Sequence, residues 1–153
     1  MTRKIRNTGR PIDVSEHLDD LQAALRRVPH LVAVYLYGSY GTAAQTPLSD
    51  VDLALLFGDV HVPTPEEHVA LIGLVTETLR EDDVSVTVLN RAPLAFQHRI
   101  LEQGRLLVLT DEIAHADFVE RTITRYSDFA IDEARFFEEY DRALVEEYGH
   151  GAG

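Results

Sequence analysis

The sequence predicts an α/β domain in which a small mixed β-sheet is flanked by helices. Three observations lead to this fold class. The chain has 153 residues, which suits one domain. Hydrophobic residues make up 45% of it, which is enough to form a core without disulfides. The absence of cysteine excludes disulfides in any case. Short β-branched runs alternate with helical patterns, and a long helical segment closes the chain.

Each element is predicted from its apolar spacing and its flanking residues. The predicted strands cover 31–37, 51–57, 84–89 and 106–109, because these runs are rich in β-branched and aromatic residues. The predicted helices cover 14–27, 64–80, 92–103 and 112–148, the last with a candidate break at 129–132. Thr64-Pro65-Glu66-Glu67 is typical of a helix start, and Gly104 of a helix end. A turn is predicted at 38–41 and a helical turn at 42–45.

Charge and hydropathy exclude several classes of function. Lys and Arg total 14 against 26 Asp and Glu, a net charge of −12, which argues against a nucleic-acid-binding face. The charge is +2 over 1–30, −8 over 31–90 and −6 over 91–153, and a cation-dependent site or a basic protein partner suits this balance better. No apolar run has membrane-spanning length, and Met1 to Pro11 lacks the apolar segment of a signal peptide. We therefore expect a soluble cytoplasmic protein without a membrane partner.

The chemistry is concentrated in Gly38-Ser39, which is followed after ten residues by Asp50-Val51-Asp52. Residues two apart on a strand share a face, so the two aspartates present their carboxylates side by side. A hard divalent cation offsets their repulsion, and Mg²⁺ typically takes one or two carboxylates plus substrate phosphates. A glycine after a strand lets a phosphate approach the backbone, and the serine can donate to it. A metal-binding carboxylate pair next to a phosphate-binding turn is typical of phosphoryl or nucleotidyl transfer.

This GSx10DxD pattern resembles the nucleotidyltransferase superfamily of DNA polymerase β and kanamycin nucleotidyltransferase, and the chain length resembles its minimal (MNT) branch. Further segments are similar to MNT antitoxins that are paired with HEPN-domain ribonuclease toxins, namely 88–93, 98–101, 104–107 and 118–129. The resemblance covers roughly residues 15–145. It implies the nucleotidyltransferase fold. We expect a flexible basic N-terminus over 1–12, the nucleotidyltransferase domain over 13–110, a C-terminal helical segment over 111–148 that packs on it, and a disordered tail over 149–153.

The resemblance also implies an activity. Members of that branch are Mg²⁺-dependent adenylyltransferases that move AMP from ATP onto a tyrosine of the HEPN toxin and so silence it. By this match, Gly38 and Ser39 hold the triphosphate, while Asp50 and Asp52 ligate Mg²⁺. The implied partners are ATP and a HEPN-type toxin, which predicts a hetero-oligomer.

One position departs from the family pattern. The third carboxylate of the superfamily lies on the next strand, where this chain places Ser85. Asp83 shares the face of Ser85 but sits two residues earlier, roughly 6.6 Å along an extended strand. It is a tentative third catalytic and metal-binding acid, and a solvated turn is an equal alternative for it.

Two other functions therefore stay open. A chain with an impaired site would be an antitoxin that binds and masks its toxin, and an active one could instead modify a small molecule of the aminoglycoside type. A C-terminal apolar stripe also exceeds what one core needs, because two adjacent phenylalanines cannot face the same core, and the surplus is a candidate partner interface. Its members are Phe118, Ile123, Tyr126, Phe129, Phe136, Phe137, Tyr140 and Leu144.

Overall fold

The computed structural model describes residues 15–38 and 51–149 as four helices and a four-stranded sheet. The strands are β1 (Leu31–Tyr37), β2 (Val51–Phe57), β3 (Val84–Val88) and β4 (Arg105–Leu109). The helices are α1 (Ser15–Arg26), α2 (Pro65–Leu79), α3 (Leu94–Gln103) and α4 (Glu112–Gly149), with a single 3₁₀ turn over Leu89–Arg91. The predicted α/β class with a mixed sheet is confirmed.

The sheet has the order β3-β2-β1-β4. β1 pairs antiparallel with both β2 and β4, whereas β2 pairs parallel with β3. The parallel pair needs a crossover connection, and α2 provides it between β2 and β3. As a result, the end of β1 and the starts of β2 and β3 meet at one edge of the sheet.

Two apolar clusters cover the two sides of the sheet. The first lies between the sheet and helices α1 and α2, and it consists almost entirely of aliphatic side chains. The second is smaller and lies between the opposite side of the sheet and helices α3 and α4, where Tyr35, Ile100 and Phe118 are buried. Strand alternation divides the residues in this way: Leu53 and Leu55 enter the first cluster, and Ala54 and Leu56 the second.

Local contacts explain where several elements begin and end. Thr64 caps α2 with a capping box, since its hydroxyl accepts from the Glu67 N–H at 3.2 Å and its own N–H donates to the Glu67 carboxylate at 3.0 Å. The Asn90 side chain joins the ends of β3 and β2, because it accepts from the Phe57 N–H at 2.9 Å and donates to the Phe57 carbonyl at 2.8 Å. The 3₁₀ turn at Leu89 therefore ends β3 one residue earlier than predicted.

Gly104 ends α3 for a reason that differs from the predicted one. Its φ is −73°, so the left-handed conformation typical of a terminal glycine is not used. A Cβ at this position would instead lie 2.6 Å from the Ile100 carbonyl oxygen and 3.2 Å from the Tyr35 ring. The last turn of α3 is therefore what requires glycine here, and the Tyr35 ring of β1 adds a second, weaker restriction.

Helix α4 runs without interruption for 38 residues, so the candidate break at 129–132 is not present. Among its described side chains, those that pack against the domain extend only to Tyr126, and Phe118 and Thr122 are buried. Every described side chain from 127 to 143 is exposed. Within the described parts of the chain, no helix is both long and apolar enough to cross a membrane.

Candidate active site

The candidate site lies where the end of β1 meets the starts of β2 and β3. Gly38 follows β1 with φ of +82°, a left-handed conformation that a side chain strongly disfavours. A Cβ built on Gly38 would lie only 2.3 Å from Oδ2 of Asp52. Glycine is therefore required twice here, by its backbone conformation and by the Asp52 carboxylate packed against it.

Register places Ser85 beside Asp52. Tyr37 pairs with Asp52 across the antiparallel ladder, and Asp52 pairs with Ser85 across the parallel one. Residues paired on adjacent strands point to the same side of the sheet, so these three side chains form a row. Ser85 is thus the β3 residue that pairs with Asp52.

Asp83 lies at the same edge, before the start of β3. Its carbonyl oxygen accepts a hydrogen bond of 2.9 Å from the N–H of Val51, the residue that precedes Asp52. Its own N–H donates to the Glu81 carboxylate at 3.2 Å, and its Oδ2 atom is shielded from solvent. The fold therefore brings Gly38, Asp52 and Asp83 to one edge of the sheet.

Two predicted site residues, Ser39 and Asp50, lie outside the described residues, as do the segments that were predicted as a turn and a helical turn. Among the residues that the structure does describe, no three His, Cys, Asp or Glu side chains form a group suited to a metal ion. The described part of the candidate metal site is thus limited to Asp52 and Asp83, which offer the hard oxygen donors that Mg²⁺ prefers.

A polar contact that the sequence reading missed borders the site. The Tyr37 hydroxyl lies 3.2 Å from Oγ1 of Thr87, so this pair bridges β1 and β3 over the intervening β2. The Tyr37 ring also packs edge-on against Phe96 of α3, with centroids 5.5 Å apart. Strand alternation could have found Thr87, because it lies two residues after Ser85 and shares its face. We read the pair as a support that holds the end of β1, and with it Gly38, in place.

A partly buried polar pair lies further along the same side of the sheet and joins β1 to α4. The Tyr35 hydroxyl is hydrogen-bonded to Nε2 of His115, at the start of α4. Burial raises the pKa of Tyr35 and lowers the pKa of His115. Both shifts favour the neutral forms of the two groups, which share this hydrogen bond. On this side of the sheet, apolar side chains lie around Val32 and Leu56, and the polar side chains of the site lie at the other end of the strands.

Solved structures of the same fold are toxin–antitoxin complexes. The MNT antitoxin in a structure from Shewanella oneidensis, described as a tri-AMPylated HEPN toxin in complex with MNT antitoxin, matches with a TM-score of 0.63 and 22% identity, over 83% of this chain and 98% of that one. A toxin–antitoxin structure with AMP-PNP matches with a TM-score of 0.63 and 23% identity, over 81% and 95%. A mutant of the MntA toxin–antitoxin complex matches with a TM-score of 0.62 and 25% identity, over 79% and 94%.

A search of the curated proteins found no match. The family described as Polymerase beta, Nucleotidyltransferase matches residues 19–113, which is more than half of the chain and includes Gly38, Asp52, Asp83 and Ser85. The resemblance seen in the GSx10DxD pattern is confirmed by this match, and the sheet with its four helices is the fold of the MNT structures. The chain therefore belongs to the polymerase β nucleotidyltransferase family.

Proposed function

We propose that this chain is a Mg²⁺-dependent adenylyltransferase that transfers AMP from ATP to a tyrosine of a HEPN-type toxin and thereby acts as its antitoxin. The observation that carries the proposal is the edge of the sheet where Gly38 packs on Asp52 in a member of this family. Its structural relatives support the substrate and the acceptor, since one is described with AMP-PNP and another with a tri-AMPylated HEPN toxin.

The reaction is a nucleotidyl transfer. The acceptor hydroxyl oxygen bonds to the α-phosphorus of ATP, the bond from that phosphorus to the bridging oxygen breaks, and pyrophosphate leaves. The hydroxyl proton must pass to a base, and the Asp83 carboxylate at the same edge is our candidate for it. Gly38 ends β1 in a left-handed conformation, and a glycine at such a turn lets a phosphate group approach the backbone closely. Ser39 follows Gly38 directly and would donate to that group.

The residues present fit a magnesium ion, because Asp52 and Asp83 offer only oxygen donors and Gly38 adds no side chain beside Asp52. Asp50 is two residues from Asp52 in the sequence and would complete the set. When bound, the ion would offset the charge of these carboxylates and of the triphosphate. The position of Ser85 opposite Asp52 favours one second candidate: an antitoxin that binds ATP and its toxin but transfers slowly.

The direct test uses the purified chain with its HEPN-type toxin, sought in a neighbouring gene, together with ATP and Mg²⁺, and it measures the intact mass of the toxin by mass spectrometry. We expect the toxin to gain the mass of one or more AMP groups. The Asp52→Asn variant should reduce the rate by about a hundredfold or more, since it removes a charged metal ligand. Asp59→Asn is the matched control, because Asp59 is an exposed aspartate just beyond the other end of β2.

Three outcomes would contradict parts of this proposal. A toxin that stays unmodified where an established pair reacts would exclude the transfer. Neutralisation that survives Asp52→Asn would favour masking. A large rate gain in Ser85→Asp would show that Asp83 does not serve as the third acid, whereas an unchanged rate would support that role.

A further inference from the structure

Helix α4 continues well beyond the domain on which it packs. Phe118 and Thr122, in its first third, are 6% and 2% exposed. Tyr126 is the last described residue of the helix with partial burial, and its ring stacks on His98 of α3 with centroids 3.7 Å apart. At 1.5 Å per residue, the part beyond Tyr126 extends for roughly 35 Å. The domain therefore anchors only the beginning of this helix.

The face that packs on the domain continues along the exposed part. Phe129, Phe136 and Tyr140 follow Phe118 and Thr122 at offsets of seven, seven and four residues, which keeps all five on one side of the helix. These three aromatic side chains are nevertheless 50%, 63% and 54% exposed. Phe136 and Tyr140 stack on one another with their rings 13° from parallel. We call Phe129, Phe136 and Tyr140 the distal aromatic face.

Acidic residues surround this face. The segment 127–149 contains eight acidic and two basic residues, a net charge of −6 and half of the charge of the whole chain. Helical spacing places Asp132, Glu133 and Glu139 along the edges of the distal aromatic face. An aromatic centre inside a charged rim is the usual anatomy of a protein–protein interface.

The charge decides what kind of surface fits. A second copy of α4 would bring two −6 segments together, and like charges held at close range oppose association. A partner with an apolar patch rimmed by Lys and Arg would instead gain attraction along the whole segment.

We propose that the distal aromatic face is the docking surface for the protein that receives the nucleotide, and that this protein presents a basic, apolar-centred surface to it. The inference rests on the proposed function for the identity of the partner. The aromatic side chains supply the affinity, and the surrounding carboxylates supply the orientation and the rate of encounter.

The test measures binding of the same HEPN-type toxin to an Asp52→Asn background, so that no transfer occurs during the titration. We expect the Phe136→Ser/Tyr140→Ser variant to bind at least about tenfold more weakly. Ile131→Ser is the matched control, because Ile131 is 53% exposed on the opposite side of the same helix segment. A Glu133→Lys/Glu139→Lys variant should lose affinity too, most strongly at low ionic strength. Thermal unfolding by circular dichroism confirms that each variant is folded.

Each outcome separates this inference from the proposed function. Unchanged toxin binding in both α4 variants would overturn the docking surface even if the toxin is adenylylated. Weakened binding in those variants, with Ile131→Ser unaffected, would support it even if no AMP is transferred. A chain that forms a stable dimer by itself, and becomes monomeric on Phe136→Ser/Tyr140→Ser, would assign the face to a second copy and also overturn the proposal.

Discussion

The two sides of the central sheet are built on different principles. The side that faces α1 and α2 is apolar along its whole length, as Val51, Leu53, Leu55 and Phe57 of β2 show. The side that faces α3 and α4 is apolar at one end, around Val32 and Leu56, and polar at the other, where Asp52 and Ser85 stand side by side. Burying hydrocarbon stabilises a fold, whereas burying carboxylates costs free energy unless they are paired.

This contrast separates stability from chemistry within a single strand. Leu53 and Asp52 are neighbours on β2, yet one is fully buried in the first cluster and the other is partly exposed beside Gly38. We infer that the first side of the sheet sets the free energy of unfolding, while the polar end of the second side serves the reaction. Substitutions on the two sides should therefore affect different measurements.

The sharpest test compares these two adjacent residues. Leu53→Ala should lower the free energy of unfolding by about 2–5 kcal/mol, because it removes a fully buried side chain and leaves a cavity. The nearly isosteric Asp52→Asn should change it by less than about 1 kcal/mol while abolishing most nucleotidyl transfer. Urea unfolding followed by circular dichroism measures both. Equal losses of unfolding free energy in the two variants would contradict the inference that stability and chemistry depend on different sides of the sheet.

Gly38→Ala should combine both effects. A residue with a side chain at φ of +82° costs about 1–2 kcal/mol, and the new Cβ would also displace the Asp52 carboxylate from its position 2.3 Å away. We expect a smaller loss of stability than in Leu53→Ala together with a fall in transfer of about tenfold or more. Gly73→Ala in α2 is the control, since a Cβ there meets nothing within 4 Å. Full activity in Gly38→Ala would argue against a phosphate-binding role for this turn.

The smallest expected effect is a pH dependence of the free energy of unfolding that arises from the Tyr35–His115 pair. Burial lowers the pKa of His115 in the folded chain. As the pH falls below about 6.5, His115 is therefore protonated in the unfolded chain but still neutral in the folded chain. The stabilisation is complete above that pH and is lost as the pH falls towards the lower pKa of the folded state. His115→Gln should therefore show a shallower loss of stability between pH 7.5 and 5.5, measured by urea unfolding.

Tyr35→Phe is the complementary control for that measurement. It removes the hydroxyl that is hydrogen-bonded to His115 but keeps the ring inside the second cluster. If His115→Gln and the unsubstituted chain lose stability equally over this pH range, the buried pair contributes nothing to it. The difference in polarity between the two sides of the sheet does not depend on that result.

Much of this organisation was predictable because it depends on local spacing. β1 and β2 have the predicted bounds, and Thr64 caps α2 as its sequence indicates. The end of β3 was predicted one residue too late, because the Asn90 side chain, which bonds to Phe57 33 positions away in the chain, takes part in ending it. The predicted break at 129–132 is absent from α4. Nothing in this segment blocks a helix once the preceding turns are anchored on the domain.

The sequence alone determined the fold class, the family and the residue types of the site. Strand alternation, helix-capping residues and the GSx10DxD motif all depend on residues that are close together in the sequence. Only the tertiary structure decided which residues stand together. The parallel register of β2 and β3 sets Ser85 against Asp52, and Gly38 meets the Asp52 carboxylate across a ladder. Packing likewise decided that α4 leaves the domain after Tyr126. These facts depend on pairings between distant segments, and hydrophobic patterning constrains such pairings without specifying the partner of each residue.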